Sequence, residues 1–187
     1  TGILHFCSVS LVESPIKETH KAVLKLAKKN HAIISFDPNI RLPLWSSAEA
    51  CQETVREFLP DADLVKLSDE ECFFVTGKHS ILDAADWLFE QGCKMVLYSM
   101  GKEGAMILTP HFSSHVENPE VRVKDTTGAG DAIIGAYLYC LAKNHITVSQ
   151  LADCLPEQVQ EWLTFAVYYA NYSITKSGAI ASYPDYT

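Results

Sequence analysis

The sequence predicts an α/β fold with a mostly parallel sheet covered by helices on both faces. Three observations carry this. Short apolar runs alternate with amphipathic segments at the spacing of βα units. The run at 32–36 is continuously apolar, as in a strand buried on both faces. The helical segments between such runs have recognisable start and stop signals. The length of 187 residues suits one domain, and 48% hydrophobic against 20% charged residues can fill a sizeable core.

Residues 3–9 read as the first strand. Ser14-Pro15 then opens a helix, with Pro in the first turn where its missing N–H costs nothing. Val23, Leu24 and Ala27 give that helix an apolar face, and Lys28-Lys29-Asn30 a basic end. The strand at 32–36 is stopped by Asp37-Pro38-Asn39, which reads as an ordinary loop opener. A helix at Ala48–Phe58 and a strand at 63–67 follow, with Lys66 at the strand end read as a surface lysine in preference to one that reaches a nucleotide. Ser68 and Glu71 have the spacing of a capping box, and Gly77 ends the helix they start. Another helix at 80–91 stops at Gly92. Met95–Ser99 and Ala105–Leu108 flank Gly101-Lys102-Glu103-Gly104 as a hairpin. Short β pieces are expected over 112–123, then helices at 130–143 and 157–176. Trp45, Trp87 and Trp162 read as packing residues, and the seven histidines as surface or loop residues. Ligands on such sheets sit at the carboxyl ends of the strands, here after Phe36, Leu67 and Ser99.

Composition excludes several classes. Fifteen Lys and Arg against 23 Asp and Glu give a net charge of -8, the wrong sign for a diffuse nucleic-acid binder. No apolar run approaches the roughly 18–20 residues of a membrane span. The longest uncharged stretch, 132–142, reads as a buried helix. Six cysteines are scattered without a Cys-x-x-Cys pair, which argues against a zinc site and for a reducing, cytoplasmic setting. The chain starts Thr1-Gly2 rather than with Met, so it reads as a piece of a longer protein.

The segment that carries chemistry is Asp125-Thr126-Thr127-Gly128-Ala129-Gly130-Asp131. Ile133, Ile134, Tyr137, Leu138 and Leu141 follow on one helical face, so a small-residue loop enters the N-terminus of a buried helix. Unpaired amides of Gly128, Ala129 and Gly130 would converge there with the helix dipole, an anion site that needs no basic side chain. Asp131 in the first turn has two readings. It stabilises the helix end by ~0.3–1 kcal/mol, or it takes a proton from a hydroxyl attacking a phosphoryl group held by the loop. The loop is not a Walker A sequence, since no Gly-Lys-Ser/Thr follows, nor a Gly-x-Gly-x-x-Gly fingerprint.

The seven residues resemble the second signature of the ribokinase-like (PfkB) family of small-molecule kinases, Asp-Thr-x-Gly-Ala-Gly-Asp leading into a helix. The resemblance extends over essentially the whole chain. Asp37-Pro38-Asn39-Ile40-Arg41 with Leu44-Trp45 is similar to a segment of the fructokinase and 2-keto-3-deoxygluconate kinase branch. Ser68-Asp69-Glu70-Glu71 falls where the family often has Asn-x-x-Glu, with Ser68 in place of Asn. Ser99-Met100-Gly101 with Gly104 matches a nucleotide-side turn. Asn171 and Ser177-Gly178-Ala179 match the segment near the adenine and a monovalent cation.

That resemblance implies a ribokinase-like three-layer α/β/α fold, of which residues 1–187 form the C-terminal portion of a single kinase domain. It implies ATP, Mg²⁺ and K⁺ as cofactors and phosphorylation of a sugar hydroxyl, fructose first and 2-keto-3-deoxygluconate next. Asp131 becomes the catalytic base and Gly128, Ala129 and Gly130 the anion hole. Ser99, Gly101, Gly104, Thr126, Asn171 and Gly178 would flank the nucleotide. Arg41, whose guanidinium suits bidentate contact with a phosphate or sugar acid, would meet substrate beside Asp131. Glu71 would serve magnesium, and Asp125 with the Thr127 carbonyl potassium. The family's N-terminal part, with its sugar contacts and β lid, is not in this sequence. The chain alone is therefore expected to be inactive, and any homodimer to form through that lid. A non-catalytic nucleotide-binding module of the same fold is the alternative, against which the intact Asp131 argues.

Overall fold

One sheet of six strands runs in strict chain order, β1 (Ile3–Cys7), β2 (Ile33–Asp37), β3 (Leu64–Ser68), β4 (Met95–Ser99), β5 (Ala105–Leu108) and β6 (Ser113–Val116). The first four are parallel and the last two antiparallel to their neighbours. Among the described residues six α-helices accompany them: α1 (Pro15–Lys29), α2 (Ala48–Phe58), α3 (Asp69–Thr76), α4 (Ile81–Glu90), α5 (Ala129–Lys143) and α6 (Pro156–Ile174). This computed structural model describes residues 2–184; Thr1 and residues 185–187, the ends of the expected 1–187 domain, lie outside the described residues.

The pleat sends alternate side chains to opposite faces, and each face has its own core. On one face Ile34, Phe36, Val65, Leu67 and Val96 pack under α1, α2 and α4 through Leu24, Val55, Phe58 and Leu88. On the other, Ile33, Leu64, Met95, Leu97 and Ile107 are covered by α5 and α6 through Ile134, Tyr137, Leu163 and Val167. Most of these side chains are fully buried. Each such burial contributes about 1.5–3 kcal/mol. The layers are therefore α/β/α, as expected.

Local signals set the helix ends. The Ser47 and Ser80 hydroxyls accept the amides of Ala50 and Leu82 at the starts of α2 and α4. Ser68 and Glu71 form the capping box of α3, and Gly77 ends it in the left-handed region at φ 75°. Removing such a cap costs about 1 kcal/mol.

Several expectations are corrected. The first strand ends at Cys7, not at residue 9, because Ser8–Leu11 turns as a 3₁₀ helix that drops Leu11 into the core. Over 112–123 only β6 forms. Beyond it the chain meets no partner strand, and the amides of Lys124 and Asp125 bond instead to the Ile174 carbonyl at the end of α6. α5 begins at Ala129, and α6 runs Pro156–Ile174 rather than 157–176. Trp162 lies in the core under α5 and α6, and Trp45 and Trp87 pack against the core on the opposite face, as expected. His5 is an exposed residue of β1, as a surface histidine should be, and its Nδ1 bonds the Ser35 hydroxyl at 3.0 Å. The cysteines are all free thiols, and among the described residues no helix is long and apolar enough to cross a membrane.

Candidate active site

The carboxyl ends of β2, β3 and β4 converge on the N-terminus of α5. They enclose a cavity of about 830 Å³ lined by Asp37, Lys66, Glu71, Gly128, Gly130 and Asp131, among others. A second, more apolar cavity of about 480 Å³ lies between the 99–104 turn and α6, with Gly104, Val167 and Asn171 in its wall. Ser99, Gly101, Thr126 and Gly130 belong to both. The two spaces thus meet at the small-residue loop, and the three expected strand ends all lead there.

The loop is built to expose amides. Gly128 adopts φ 80°, ψ 5° as the N-cap of α5, a left-handed conformation that suits glycine. A Cβ on it would sit 2.7 Å from the Tyr183 hydroxyl and 2.9 Å from Ala179 Cβ. Tyr183 Oη donates to the Gly128 carbonyl at 3.1 Å, which fixes the loop against the C-terminal segment. The Ala129 amide turns back onto the Thr126 carbonyl at 3.1 Å. Of the expected trio, the Gly128 and Gly130 amides are therefore those without a protein acceptor among the described residues. Asp131 is exposed on the first turn of α5 and faces the larger cavity.

Asp125 braces the loop from outside both cavities. Its Oδ2 accepts the Gly178 amide and its Oδ1 the Thr127 amide, each at 2.9 Å. Those donors, Gly178 foremost, pull its carboxyl down to about 2 from an ordinary 3.8. A depressed carboxyl contributes stability above its unfolded value and loses it as pH falls through the folded one. The urea midpoint of Asp125→Asn should trail the parent by a constant margin above about pH 4 and by a shrinking margin towards pH 2. A constant deficit across that range would show that the carboxylate charge is not what ties the loop. Gly178, expected beside the nucleotide, spends its amide on this brace and lines neither cavity.

Beneath the loop lies a charge cluster. Lys66, expected at the surface, is buried; its Nζ lies 3.3 Å from Asp37 Oδ1 and 3.7 Å from Glu71 Oε2. Asp37 is the last residue of β2 and also buried, so it is no mere loop opener. Burial pushes its carboxyl up to about 6 despite Lys66, with the charge of Glu71 adding to the rise. For Glu71, burial acts in the same sense but is outweighed, and the group is held below its ordinary value. The difference lies in donors. Glu71 accepts the Ser68 amide and hydroxyl at 2.9 and 2.8 Å and the Ile40 amide at 3.0 Å, whereas among the described residues Asp37 accepts only the Asn39 amide besides Lys66.

Those bonds bear on the metal expectation. Among the described residues no three His, Cys, Asp or Glu side chains are grouped to hold an ion. Glu71, with both oxygens engaged, fits an outer position reached through water. That is how Mg²⁺ is commonly held when phosphates supply its inner oxygens. Arg41 stands on the rim, exposed, with Nη1 donating to the Ile40 carbonyl at 2.9 Å. Asn171 is buried, and its amide donates to Asn118 Oδ1 at 2.7 Å and the Val167 carbonyl at 2.8 Å; Asn118 in turn bonds the Gly101 carbonyl.

Sequence reasoning missed the burial of Lys66, its pairing with Asp37, and Asn118. A charged residue within the apolar Leu64-Val65-Lys66-Leu67 was a signal for the first. Asn118 offered none, since its partners are remote in sequence.

A family model described as "pfkB family carbohydrate kinase" matches residues 1–186. The chain belongs to the pfkB carbohydrate kinase family. Within it, the chain is similar to probable fructokinase-6, chloroplastic, of Arabidopsis thaliana, 38% identical over 184 residues covering 97% of this chain and 47% of that protein. Among solved pfkB-type structures it matches the fructokinase from Vibrio cholerae O395 in its fructose, ADP and calcium ion bound form. That match has TM-score 0.84 and 31% identity, over 97% of this chain and 57% of the other. The fructokinase with bound ATP from Xylella fastidiosa matches at TM-score 0.87 and 28% identity, over 98% and 58%. The chain spans about half the length of the curated relatives it matches.

Proposed function

We propose that residues 1–187 form the nucleotide and phosphoryl-transfer half of an ATP-dependent sugar kinase whose acceptor is fructose. One observation carries the reading. Asp131, a carboxylate with no structural partner of its own in the bonds described above, faces the larger cavity one residue beyond the loop where the two cavities join. A nucleotide lying in the smaller, apolar cavity would extend its phosphates across Gly101 and Thr126 to the Gly128 and Gly130 amides. The acceptor hydroxyl would then sit beside Asp131.

In this reading Asp131 takes the hydroxyl proton as the oxygen attacks the terminal phosphorus, and the bond from that phosphorus to the bridging oxygen breaks to release ADP. The loop amides and the α5 dipole hold charge on the transferred group, a role in which preorganised donors act strongly. Bound Mg²⁺ supplies further neutralisation of the phosphates. Lys102 and the apolar Val167 and Ile174 flank the nucleotide, while Asn171 shapes its pocket through Asn118 rather than by reaching the base. Fructose is favoured over 2-keto-3-deoxygluconate because the similar proteins named above are fructokinases. Free thiols throughout suit a reducing compartment. A monovalent cation near Asp125 and Thr127 would order the loop that supplies the amides.

The test is a phosphorylation assay on the full-length protein that contains this chain. Fructose, glucose, ribose and 2-keto-3-deoxygluconate are offered with ATP in potassium or tetramethylammonium chloride at equal ionic strength. Fructose is expected to be consumed fastest, and faster in potassium. Preference for the sugar acid would move the protein to the neighbouring branch. Equal rates in the two salts would remove the cation, and no ATP-dependent turnover of any sugar would remove the kinase reading.

A further inference from the structure

Lys66, read from the sequence as a surface lysine in preference to a nucleotide contact, is buried. Lys66 lies within β3, 6% exposed, in a strand whose neighbours Leu64, Val65 and Leu67 are fully buried and apolar. Its side chain rises on the face covered by α5. A Cβ on Gly130 would stand 3.3 Å from Lys66 Nζ, so the ammonium rests directly under the first turn of that helix, in the space the glycine leaves. It lines the larger cavity together with Gly128 and Asp131.

An ammonium presents three donors. Asp37 and Glu71 account for two directions, at 3.3 and 3.7 Å, and flank the group like supports. A structural role alone would be poorly served by this arrangement. Buried ion pairs seldom add stability over apolar residues of the same size, and both faces of β3 could be filled by aliphatic side chains. A full positive charge also repels the positive end of a helix dipole. Placing Lys66 under the α5 N-terminus is therefore unfavourable until an anion lies between the amides and the ammonium.

We propose that Lys66 is the charged member of the anion hole, contacting the transferred phosphoryl group together with the Gly128 and Gly130 amides, and that Asp37 and Glu71 are the positioning residues that hold its ammonium in place. This rests on the kinase reading above. It adds a cationic contact to a loop that otherwise works by backbone dipoles alone.

The test compares ground-state and transition-state ligands on the full-length protein. ADP with Mg²⁺, and ADP with Mg²⁺, aluminium fluoride and fructose, are titrated calorimetrically into the parent, Lys66→Met and Lys66→Arg. A lost hydrogen bond to a charged group should weaken the fluoride complex of Lys66→Met by ~10–100-fold, with ADP affinity unchanged. Lys66→Arg should recover part of the loss. Asp37→Asn should lower kcat with little change in the KM for ATP. Should Lys66→Met fail to fold, the double variant Asp37→Asn/Lys66→Met removes the stranded carboxylate and should show the same selective loss. Equal weakening of both ligands, or of neither, would overturn the assignment while leaving the kinase reading intact. A parent protein that binds neither ligand would overturn both.

Discussion

Asp131→Asn in the full-length protein lowers turnover by at least ~100-fold, the lower end of the contribution of a positioned general base. The substitution keeps the side chain's size and removes its capacity to accept a proton. Asp131 is exposed on the first turn of α5 and supports no part of the fold, so the variant should be as stable as its parent to within the ~0.3–1 kcal/mol that an acidic group contributes at a helix N-terminus. The amides of Gly128 and Gly130 are untouched, and so is the smaller cavity. ATP affinity should therefore stay close to that of the parent. Single-turnover rates and a nucleotide titration separate these terms. Near-normal turnover would remove Asp131 as the base. A loss confined to ATP binding would make it a helix-end residue whose charge matters only to the nucleotide.

The largest stability effect is expected at Gly104. It has φ 102° and ψ -141°, a region open essentially to glycine alone, and a Cβ there would lie 2.0 Å from the Val116 carbonyl oxygen and 2.9 Å from Glu117 Cα. Both obstacles are backbone, so no rotamer change relieves them. The Gly104 carbonyl also accepts the Met100 amide at 2.9 Å, and Ala105 next to it pairs with Val116 in the sheet. Gly104→Ala must therefore open the β5–β6 end and distort the turn that borders the smaller cavity. Backbone strain of this kind costs about 1–3 kcal/mol by itself, and the displaced sheet end adds to it. Gly101 is the internal control: its φ is 53°, but nothing lies within 4 Å of a Cβ built there. Gly101→Ala should cost about 1 kcal/mol, the left-handed penalty alone. Thermal unfolding of both variants, with ADP binding, measures the contrast. Equal losses at the two positions would mean that β6 shifts freely and that the contact with Val116 is no constraint.

Much of this architecture was written in local pattern. Capping residues, glycine stops and apolar runs placed the helices and strands to within a residue or two, because each is fixed by its own neighbours in sequence. The strand ends after Phe36, Leu67 and Ser99 follow from the alternation of strands and helices alone, and all three open on the larger cavity. What escaped was set by distant contacts. Lys66 looks like an outward residue in a one-sided strand until α5 is laid over it. Asp37 looks like a turn residue until Lys66 is seen beside it. Val121 and Val123 suggest a strand, but a strand needs a partner, and the backbone there finds the end of α6 instead. Gly178 was assigned to the nucleotide by motif, yet its amide is committed to Asp125. Residue type at a motif position suggests chemistry; which atom meets which ligand is decided by packing.

The strictly sequential order of the strands has a consequence for synthesis. Every neighbour in the sheet is also the next strand in the chain, so the sheet can be extended stepwise as the polypeptide emerges. The core under α1, α2 and α4 uses residues no later than Leu108 and can close early. The opposite face cannot. Ile33, Leu64, Met95 and Leu97 wait for α5 and α6, which come last. During translation that face is an uncovered apolar surface, the kind of transient exposure on which nascent chains aggregate or recruit chaperones. The loop with Asp131 is part of the cover. Completion of the proposed site and protection from aggregation are thus acquired in the same docking event, and a nascent chain that lacks one lacks the other.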